Sequence, residues 1–445
     1  MDDVVVVLEL AVVLGAIVMG TRSSGVGLGL WGGTGVAVLV LVFGEDVGSP
    51  PVDALLIVLS VVLASSMMQL AGGIDWLVTV AARLIAARPR QITLIAPLVA
   101  FLFSVGAGTS NILYPLLPVI SDLSYRNGIR PSRPLSLSVV VTGVALACSP
   151  VSAAMAAMVT LTEVAPYGFE MFDIIKITLP AAIIGIVLTS LVVNRLGADI
   201  EDDPEIQERI RSGQIGAPGA DAAKGVAVEA TTAGRNAALL FLLGVAAIVV
   251  LGLWKDLRPE GADGSPLGMT PIIQMIMFVV GTLILLVSRP KVAAIPEQTV
   301  FRAGMVSAIA LFGLAWMTDT FISAHTDLIV DNVGSLVENA PWIFALGVFV
   351  VCVLTTSQST ATRTIVPIGL TAGLAPGLVA GMWSGAFAGI YLLPTNGSQI
   401  AAANFDESGS TRLGTRLVDH SFAIPTVVLT VTTVAAGALL GAVLG

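Results

Sequence analysis

Along this chain, apolar runs of membrane-spanning length alternate with short polar breaks, and the breaks fall into two matching sets. In the first half, apolar stretches at 4–19, 25–43 and 54–70 predict three helical spans, each long enough to cross a hydrocarbon core about 30 Å thick. Residues 74–87 follow another pattern. Trp76, Leu77, Val80, Leu84 and Ile85 recur at helical spacing with Arg83 and Arg88 alongside, which predicts an amphipathic helix at the interface. An apolar hairpin over 92–124 comes next, its tip formed by Gly106, Ala107, Gly108, Thr109, Ser110 and Asn111. The second limb, 112–121, gives about 15 Å of helix, half the core thickness, so this limb is expected to be re-entrant rather than spanning. A helix over 135–160 is interrupted at Cys148, Ser149, Pro150, Val151 and Ser152, where proline removes a backbone donor and frees a carbonyl in the preceding turn. A span at 172–193 ends the half.

From 195 to 235 the chain is polar, opening on Glu201, Asp202, Asp203 and Glu205 and ending Gly/Ala-rich. It is expected to be a linker, disordered in part. The second half then retraces the first: spans at 237–253, 272–287 and 303–321, an amphipathic stretch at 326–337, and a hairpin over 342–374. That hairpin's tip runs Thr355, Thr356, Ser357, Gln358, Ser359 through Arg363, and Ser357 lies 247 residues after Ser110. A helix over 377–404 is interrupted at Pro394, Thr395, Asn396, Gly397, Ser398 and Gln399, and a span at 422–444 follows. The pattern predicts an all-α polytopic membrane protein of two repeats, 1–194 and 236–445, joined by a cytoplasmic linker at 195–235. With five crossings, one re-entrant hairpin and one broken helix per repeat, the odd number makes the repeats inverted.

Composition agrees with a membrane setting. Of 445 residues, 56% are hydrophobic and only 11% charged, and mean hydropathy is +0.94, whereas soluble domains average about 25% charged residues. The alternating ten-residue segments of a β-barrel are missing. Two cysteines, Cys148 and Cys352, exclude a disulfide framework, and a net charge of −9 argues against a nucleic-acid partner. The acidic start at Asp2 and Asp3 is unlike a secretory signal, so the first apolar run is expected to remain as a span. With both termini outside, inside loops hold 17 of the 21 Lys and Arg, the bias that orients membrane helices.

The chemistry is concentrated at the breaks. If each hairpin tip meets the interrupted helix of its own half, half-helix N-termini offer free N–H groups to a carboxylate. Half-helix C-termini and unwound carbonyls suit a cation. Candidate substrate ligands are therefore Thr109, Ser110, Asn111, Ser149, Pro150 and Ser152 in the first half, and Ser357, Gln358, Ser359, Thr395, Asn396 and Gln399 in the second. A Na⁺ site is expected, if anywhere, near Ser110, Asn111, Ser357 and Gln358; H⁺ is the other candidate coupling ion, and no organic cofactor is implied. Hydroxyls also serve as ordinary packing groups in membrane helices. Arg363 is sharper, because a guanidinium at such depth needs an anion or water. It either grips a substrate carboxylate bidentately, forms a structural ion pair, with Asp319 the first partner to consider, or snorkels to the outer surface. Asp319 and Glu9 are acidic residues within spans, read as structural or interfacial, with proton coupling as the alternative. His325 and His420 are the only histidines and lack metal-ligand spacing. Gly27, Gly29 and Gly32 match the dinucleotide pattern G-x-G-x-x-G, but without a βαβ context they indicate close helix packing. With no nucleophile–base constellation or phosphate loop in sight, the chain does not look like an enzyme.

These residues resemble a known family, the anaerobic C4-dicarboxylate carriers (Dcu). The likeness rests on stretches spread over nearly the whole chain. They include Gly72-Gly73-Ile74-Asp75, Gly108-Thr109-Ser110-Asn111, Ser149-Pro150-Val151-Ser152, Trp316-Met317-Thr318-Asp319, Ser357-Gln358, Leu393-Pro394-Thr395, Phe405-Asp406-Glu407-Ser408-Gly409 and His420-Ser421-Phe422. The resemblance implies exchange or uptake of fumarate, succinate, malate or aspartate in a bacterial inner membrane, with an elevator-type movement of the substrate domain. Membrane lipid is the expected surrounding and a homodimer the expected assembly. Two departures stand out: members of the family carry small apolar residues where this chain has Thr362 and Arg363, and an Asp where it has Gln399. A carrier of another small organic anion and a dicarboxylate-binding membrane sensor are the alternatives.

Overall fold

The computed structural model describes every residue except 1, 24–25, 219–230, 262–265, 326–327, 329–338, 395 and 415–418. Among the described residues the chain is helical; one antiparallel bridge, Glu260 to Pro266, is the sole β feature. In the first half the helices are α1 (Asp2–Ser23), α2 (Gly27–Val38, extended by the π-helical turn Leu39–Phe43), α3 (Val52–Leu70), α4 (Gly73–Ala86), α5 (Ile92–Ala107), α6 (Leu117–Arg126), α7 (Ser132–Ala145), α8 (Ala153–Thr162) and α9 (Met171–Val193). A short α10 (Pro204–Arg211) lies in the linker. The second half holds α11 (Thr232–Leu253), α12 (Met269–Ser288), α13 (Thr299–Ala324), α14 (Trp342–Thr355), α15 (Gln358–Thr371), α16 (Pro376–Ala386), α17 (Gly397–Phe405) and α18 (Ala423–Leu444).

Among the described residues, six helical segments, Pro89–Ala107 among them, are long and apolar enough to cross a membrane. The count rises to seven if α3 and α4, bent 74° at their junction, are taken together. The bend sits at Gly72, whose φ of +82° suits a residue without Cβ. Beyond it, α4 is amphipathic as expected, with a buried stripe of Leu77, Val78, Ala81 and Ile85 facing α11 and α5, while Leu84 and Arg83 face outward. Its expected counterpart at 326–337 lies outside the described residues, apart from Leu328.

Packing separates two groups of helices. In one, α1 lies on α2, α2 on α13, α3 on α12 and α11 on α12, with α3 touching α13. In the other, α5 packs on α7, α14 on α15 and α16, α16 on α18, and α9 on α18. Contacts of α15 with α13, and of α8 with α3, join the groups. Of the dinucleotide-like glycines, Gly29 and Gly32 belong to the α2–α13 crossing, while Gly27 sits against Ser23 at the end of α1. A Cβ at Gly313 would stand 2.0 Å from the Gly29 carbonyl oxygen, and one at Gly32 would stand 2.4 Å from the Gly313 carbonyl carbon. The α16–α18 crossing is equally close, with Gly381 and Gly437 each backed by the other's carbonyl at 2.0–2.1 Å. Small residues let backbones approach and gain dispersion contacts where lipid offers no hydrophobic drive.

Ion pairs secure the loops. Glu170, at the start of α9, takes Arg258 at 2.7 Å and Lys255 at 2.9 Å from the loop after α11. Burial alone would push the Glu170 carboxyl up, but these two cations outweigh it and hold it below the usual carboxylate range. The linker is anchored at its start: Arg130 pairs with Asp203, Arg133 with Asp199 at 2.5 Å, and Arg209 donates to the Ser408 carbonyl at 2.7 Å. Asp203 also caps α10 through the amides of Glu205 and Ile206.

The α2–α13 crossing makes a sharp prediction. Gly313→Ala should destabilise the protein by about 1–3 kcal/mol through overpacking, seen as a lower melting temperature and folded yield in detergent. Gly33→Ala, whose Cβ would meet nothing within 4 Å, should match or exceed wild type.

Candidate functional site

Each polar interruption ends one helix and starts another, and three of these starts face the same space. In the first hairpin, α5 stops at Gly108 (φ +67°) and Thr109 turns extended, its Oγ1 accepting the Asn111 amide at 3.2 Å. The return limb is not one α-helix. It begins as a 3₁₀ segment, Ser110–Leu116, with Pro115 inside it, and becomes α6 only at Leu117. In the second hairpin α14 stops at Thr356, a non-glycine residue at φ +50°, and Ser357 caps α15 by accepting the Thr360 amide at 3.2 Å. In the first broken helix Ser152 caps α8, accepting from Met155 N at 3.0 Å while donating to the Leu146 carbonyl at 2.5 Å across the break.

These three starts line one cavity of about 260 Å³. Thr109, Ser110 and Asn111 enter from the first tip, Ser152, Ala153 and Ala154 from the break, and Thr356, Ser357, Gln358 and Ser359 from the second tip. Ser65 with Val58 and Val62 of α3, and Ala303 with Gly304 of α13, close the opposite side, so the cavity lies between the two helix groups. Tip and break abut: a Cβ at Gly108 would stand 2.7 Å from the Val151 carbonyl oxygen. Gln358 Nε2 reaches the Gly143 carbonyl of α7 at 3.5 Å.

No described lining residue is ionised. The electrostatic character of the cavity comes from backbone ends. First-turn amides of a helix have no intrahelical acceptor, and their aligned dipoles place partial positive charge there. Each cap hydroxyl takes one amide, and Ser110, Ala153, Gln358 and Ser359, first-turn residues of these three starts, line the cavity. Such an arrangement suits a small anion.

The remaining expected ligands lie elsewhere. Ser149 and Pro150 are buried in the break without lining the cavity, and Ser149 Oγ accepts the Val151 amide at 3.3 Å. Asn396 and Gln399 are occupied with capping α17: Asn396 Oδ1 takes Ser398 N at 3.1 Å, and Gln399 Oε1 takes Asn396 N at 3.1 Å. Gln399 Nε2 donates to the Tyr391 carbonyl at 2.9 Å. With its polar groups satisfied internally, the second break packs against the first hairpin's return limb rather than entering the cavity. Thr395 is outside the described residues.

Arg363 is 3% exposed, and its Nε and Nη2 have no acceptor. It does not line the cavity, but it sits one helical turn beyond Ser359 on the same face, where side chains lean toward the helix N-terminus. The suggested ion pair with Asp319 is not formed; Asp319 Oδ2 instead accepts the Ser49 amide at 2.7 Å. Thr356 was placed in the second tip but not among the candidate ligands, and Ser65 and Gly304 were not singled out from sequence. The Ser65-Ser66 pair inside an apolar span was the signal available for α3, whereas the left-handed turn at Thr356 left no compositional trace.

The family model described as "Anaerobic c4-dicarboxylate membrane transporter" matches residues 5–445. This chain belongs to that family. Its relatives include the anaerobic C4-dicarboxylate transporter DcuB of Escherichia coli O6:H1, 33% identical over 426 residues and 94% of each chain. The C4-dicarboxylate transporter DcuA of Wolinella succinogenes is 32% identical over 438 residues, covering 98% of this chain and 99% of the relative. Among solved structures, the Alcanivorax borkumensis YdaH transporter aligns over 98% of both chains with a TM-score of 0.60 at 14% identity. Neisseria gonorrhoeae MtrF aligns over 91% of this chain and 84% of its own with a TM-score of 0.59 at 12% identity. The fold is thus that of membrane transporters, and this family member is a carrier rather than an enzyme.

The shared cavity can be tested by cross-linking in this transporter. In a background where Cys148 and Cys352, both buried, are replaced by Ala, Asn111→Cys with Ser359→Cys should be bridged within one chain by a short bismaleimide. Failure to bridge in folded protein, with each single cysteine reactive, would contradict the cavity.

Proposed function

We propose that this protein is a secondary active transporter that carries C4-dicarboxylates such as fumarate, succinate, malate or aspartate across a bacterial inner membrane, by exchange or by cation-coupled uptake. One observation carries the reading: three helix N-termini converge on a cavity free of ionised side chains, with an unpaired buried guanidinium one turn below it. One substrate carboxylate is held by the free amides of the hairpin tips and of α8, and Arg363 supplies the one full positive charge near the site. The C-terminal ends of α5 and α14, which reach the cavity at Gly108 and Thr356, supply carbonyl oxygens suited to a Na⁺ ion. The names of the relatives, C4-dicarboxylate transporters, support the substrate class.

The proposed architecture is an inverted repeat with two re-entrant hairpins, both termini outside and the linker cytoplasmic. Exchanging the halves turns the α2–α13 contact into α12–α3, α1–α2 into α11–α12, and α5–α7 into α14–α16, all of which occur. The α9–α18 contact maps onto itself. Pro89–Ala107 is long enough to cross, so re-entry of the first hairpin rests on the short return limb and on the inside bias of Lys and Arg. Alternating access then moves the hairpins and broken helices, as one body, along the group formed by α1–α3 and α11–α13, in the manner of an elevator.

A carrier for a monocarboxylate or sulfonate would need one anion contact, and a sensor would bind without turnover. Proteoliposomes loaded with unlabelled succinate should accumulate labelled succinate by counterflow, with fumarate and malate competing and acetate failing to compete. Binding without counterflow would favour a sensor, and competition by acetate equal to that by malate would favour a different anion carrier.

A further inference from the structure

Outside the cavity lining, the structure assembles a second polar cluster. Glu9 lies in the second turn of α1, Glu45 just beyond the π-helical turn after α2, and His325 at the end of α13. One ligand atom from each lies within 4.8 Å of the others. His325 Nε2 meets Glu9 Oε2, and Phe321 holds the imidazole at a ring separation of 4.8 Å. Glu9 is fully buried, and its other oxygen, Oε1, has no hydrogen-bond partner. Among the described residues no lysine or arginine pairs with Glu9 or Glu45, whose carboxyl groups lie within hydrogen-bond reach of each other and repel when both are ionised, with Asp46 adding to the negative charge around Glu45. A buried carboxylate oxygen without a donor is costly. A divalent ion answers both demands, since it coordinates the orphaned oxygen and neutralises two carboxylates.

We propose that Glu9, Glu45 and His325 form a site for one divalent transition-metal ion of the Zn²⁺ type, independent of the transport cavity. The donor set of one imidazole nitrogen and two carboxylate oxygens fits Zn²⁺, which takes such ligands at about 2.0–2.2 Å and leaves a fourth position for water. Mg²⁺ and Ca²⁺ prefer all-oxygen shells. Tetrahedral ligands at that range stand about 3.4 Å apart, so the three groups need only small side-chain rotations to close on the ion. Coordination ties α1 to the ends of α2 and α13, the pair joined by the glycine crossing, so the ion stabilises this end of the helix group.

The test uses full-length protein purified in detergent through a tag without histidines and stripped with a chelator. Calorimetric titration should give one Zn²⁺ per chain, Zn²⁺ should raise the melting temperature by several degrees, and Co²⁺ should develop the visible bands of a tetrahedral site. Glu9 is buried and its replacement threatens folding, so His325→Gln carries the decision, with Glu45→Gln beside it. Each should weaken Zn²⁺ binding at least tenfold and remove the Co²⁺ bands. His420, bonded through Nε2 to the Leu392 carbonyl, remains in both variants and reports background binding. Saturable Zn²⁺ binding of equal strength in folded His325→Gln, or none in folded wild type, would overturn the assignment.

Discussion

A helix that stops inside an apolar environment leaves backbone amides and carbonyls without partners, and nothing in hydrocarbon can satisfy them. This chain stops helices at Gly108, Ala145, Thr355 and in the segment after Tyr391, and most of the site follows from how it handles the consequence. Thr109, Ser152 and Ser357 each cap a new helix with one hydroxyl. One amide per helix is thereby satisfied, and the rest are left near the cavity. In the proposed reading the anion is therefore held by the fold itself, and side chains refine the grip. The arrangement depends on close contact between tip and break, which is why Gly108 faces the Val151 carbonyl with no room for a Cβ.

The two halves carry out the same plan unequally. In the first, the broken helix opens its cap into the cavity through Ser152. In the second, Asn396 and Gln399 bond to each other's backbone and side chain, Tyr391 ties to Thr142 at 2.9 Å, and the break is sealed against the first hairpin. What the second half contributes is the tip and, below it, Arg363. A neutral Gln399 and a cationic Arg363, where the resemblance implies an acid and a small apolar residue, shift the site's charge in the same direction. The structure gives that shift a location: the charge lies under the second tip, and the sealed break carries none.

The parts legible in the sequence were those where polarity contradicts its surroundings. Thr109–Asn111, Ser152 and Ser357–Ser359 stand out against apolar flanks, and they line the cavity. The same signal pointed to Ser149, Asn396 and Gln399, whose hydrogen bonds turn out to be spent locally, because composition shows that a polar group is present but not whom it bonds. Gly27, Gly29 and Gly32 were legible as a packing motif, although Gly313, the partner of Gly29 and Gly32, lies far along the chain and is fixed only by the fold. Glu9 and His325, 316 residues apart, gave no spacing signal at all. Ser65 and Gly304 were missed because a wall residue on a spanning helix looks like any other small residue.

The central claim is that a buried, unpaired guanidinium and the converging helix N-termini together hold a dicarboxylate. Equilibrium binding of succinate to folded wild type, Arg363→Lys and Arg363→Ala tests it most directly. Loss of a charged hydrogen bond of about 1.5–3 kcal/mol predicts a dissociation constant raised about ten- to a hundredfold in Arg363→Ala. Arg363→Lys should retain weaker, less selective binding, because it keeps the charge without the planar fork. Succinate affinity unchanged in folded Arg363→Ala would contradict the account.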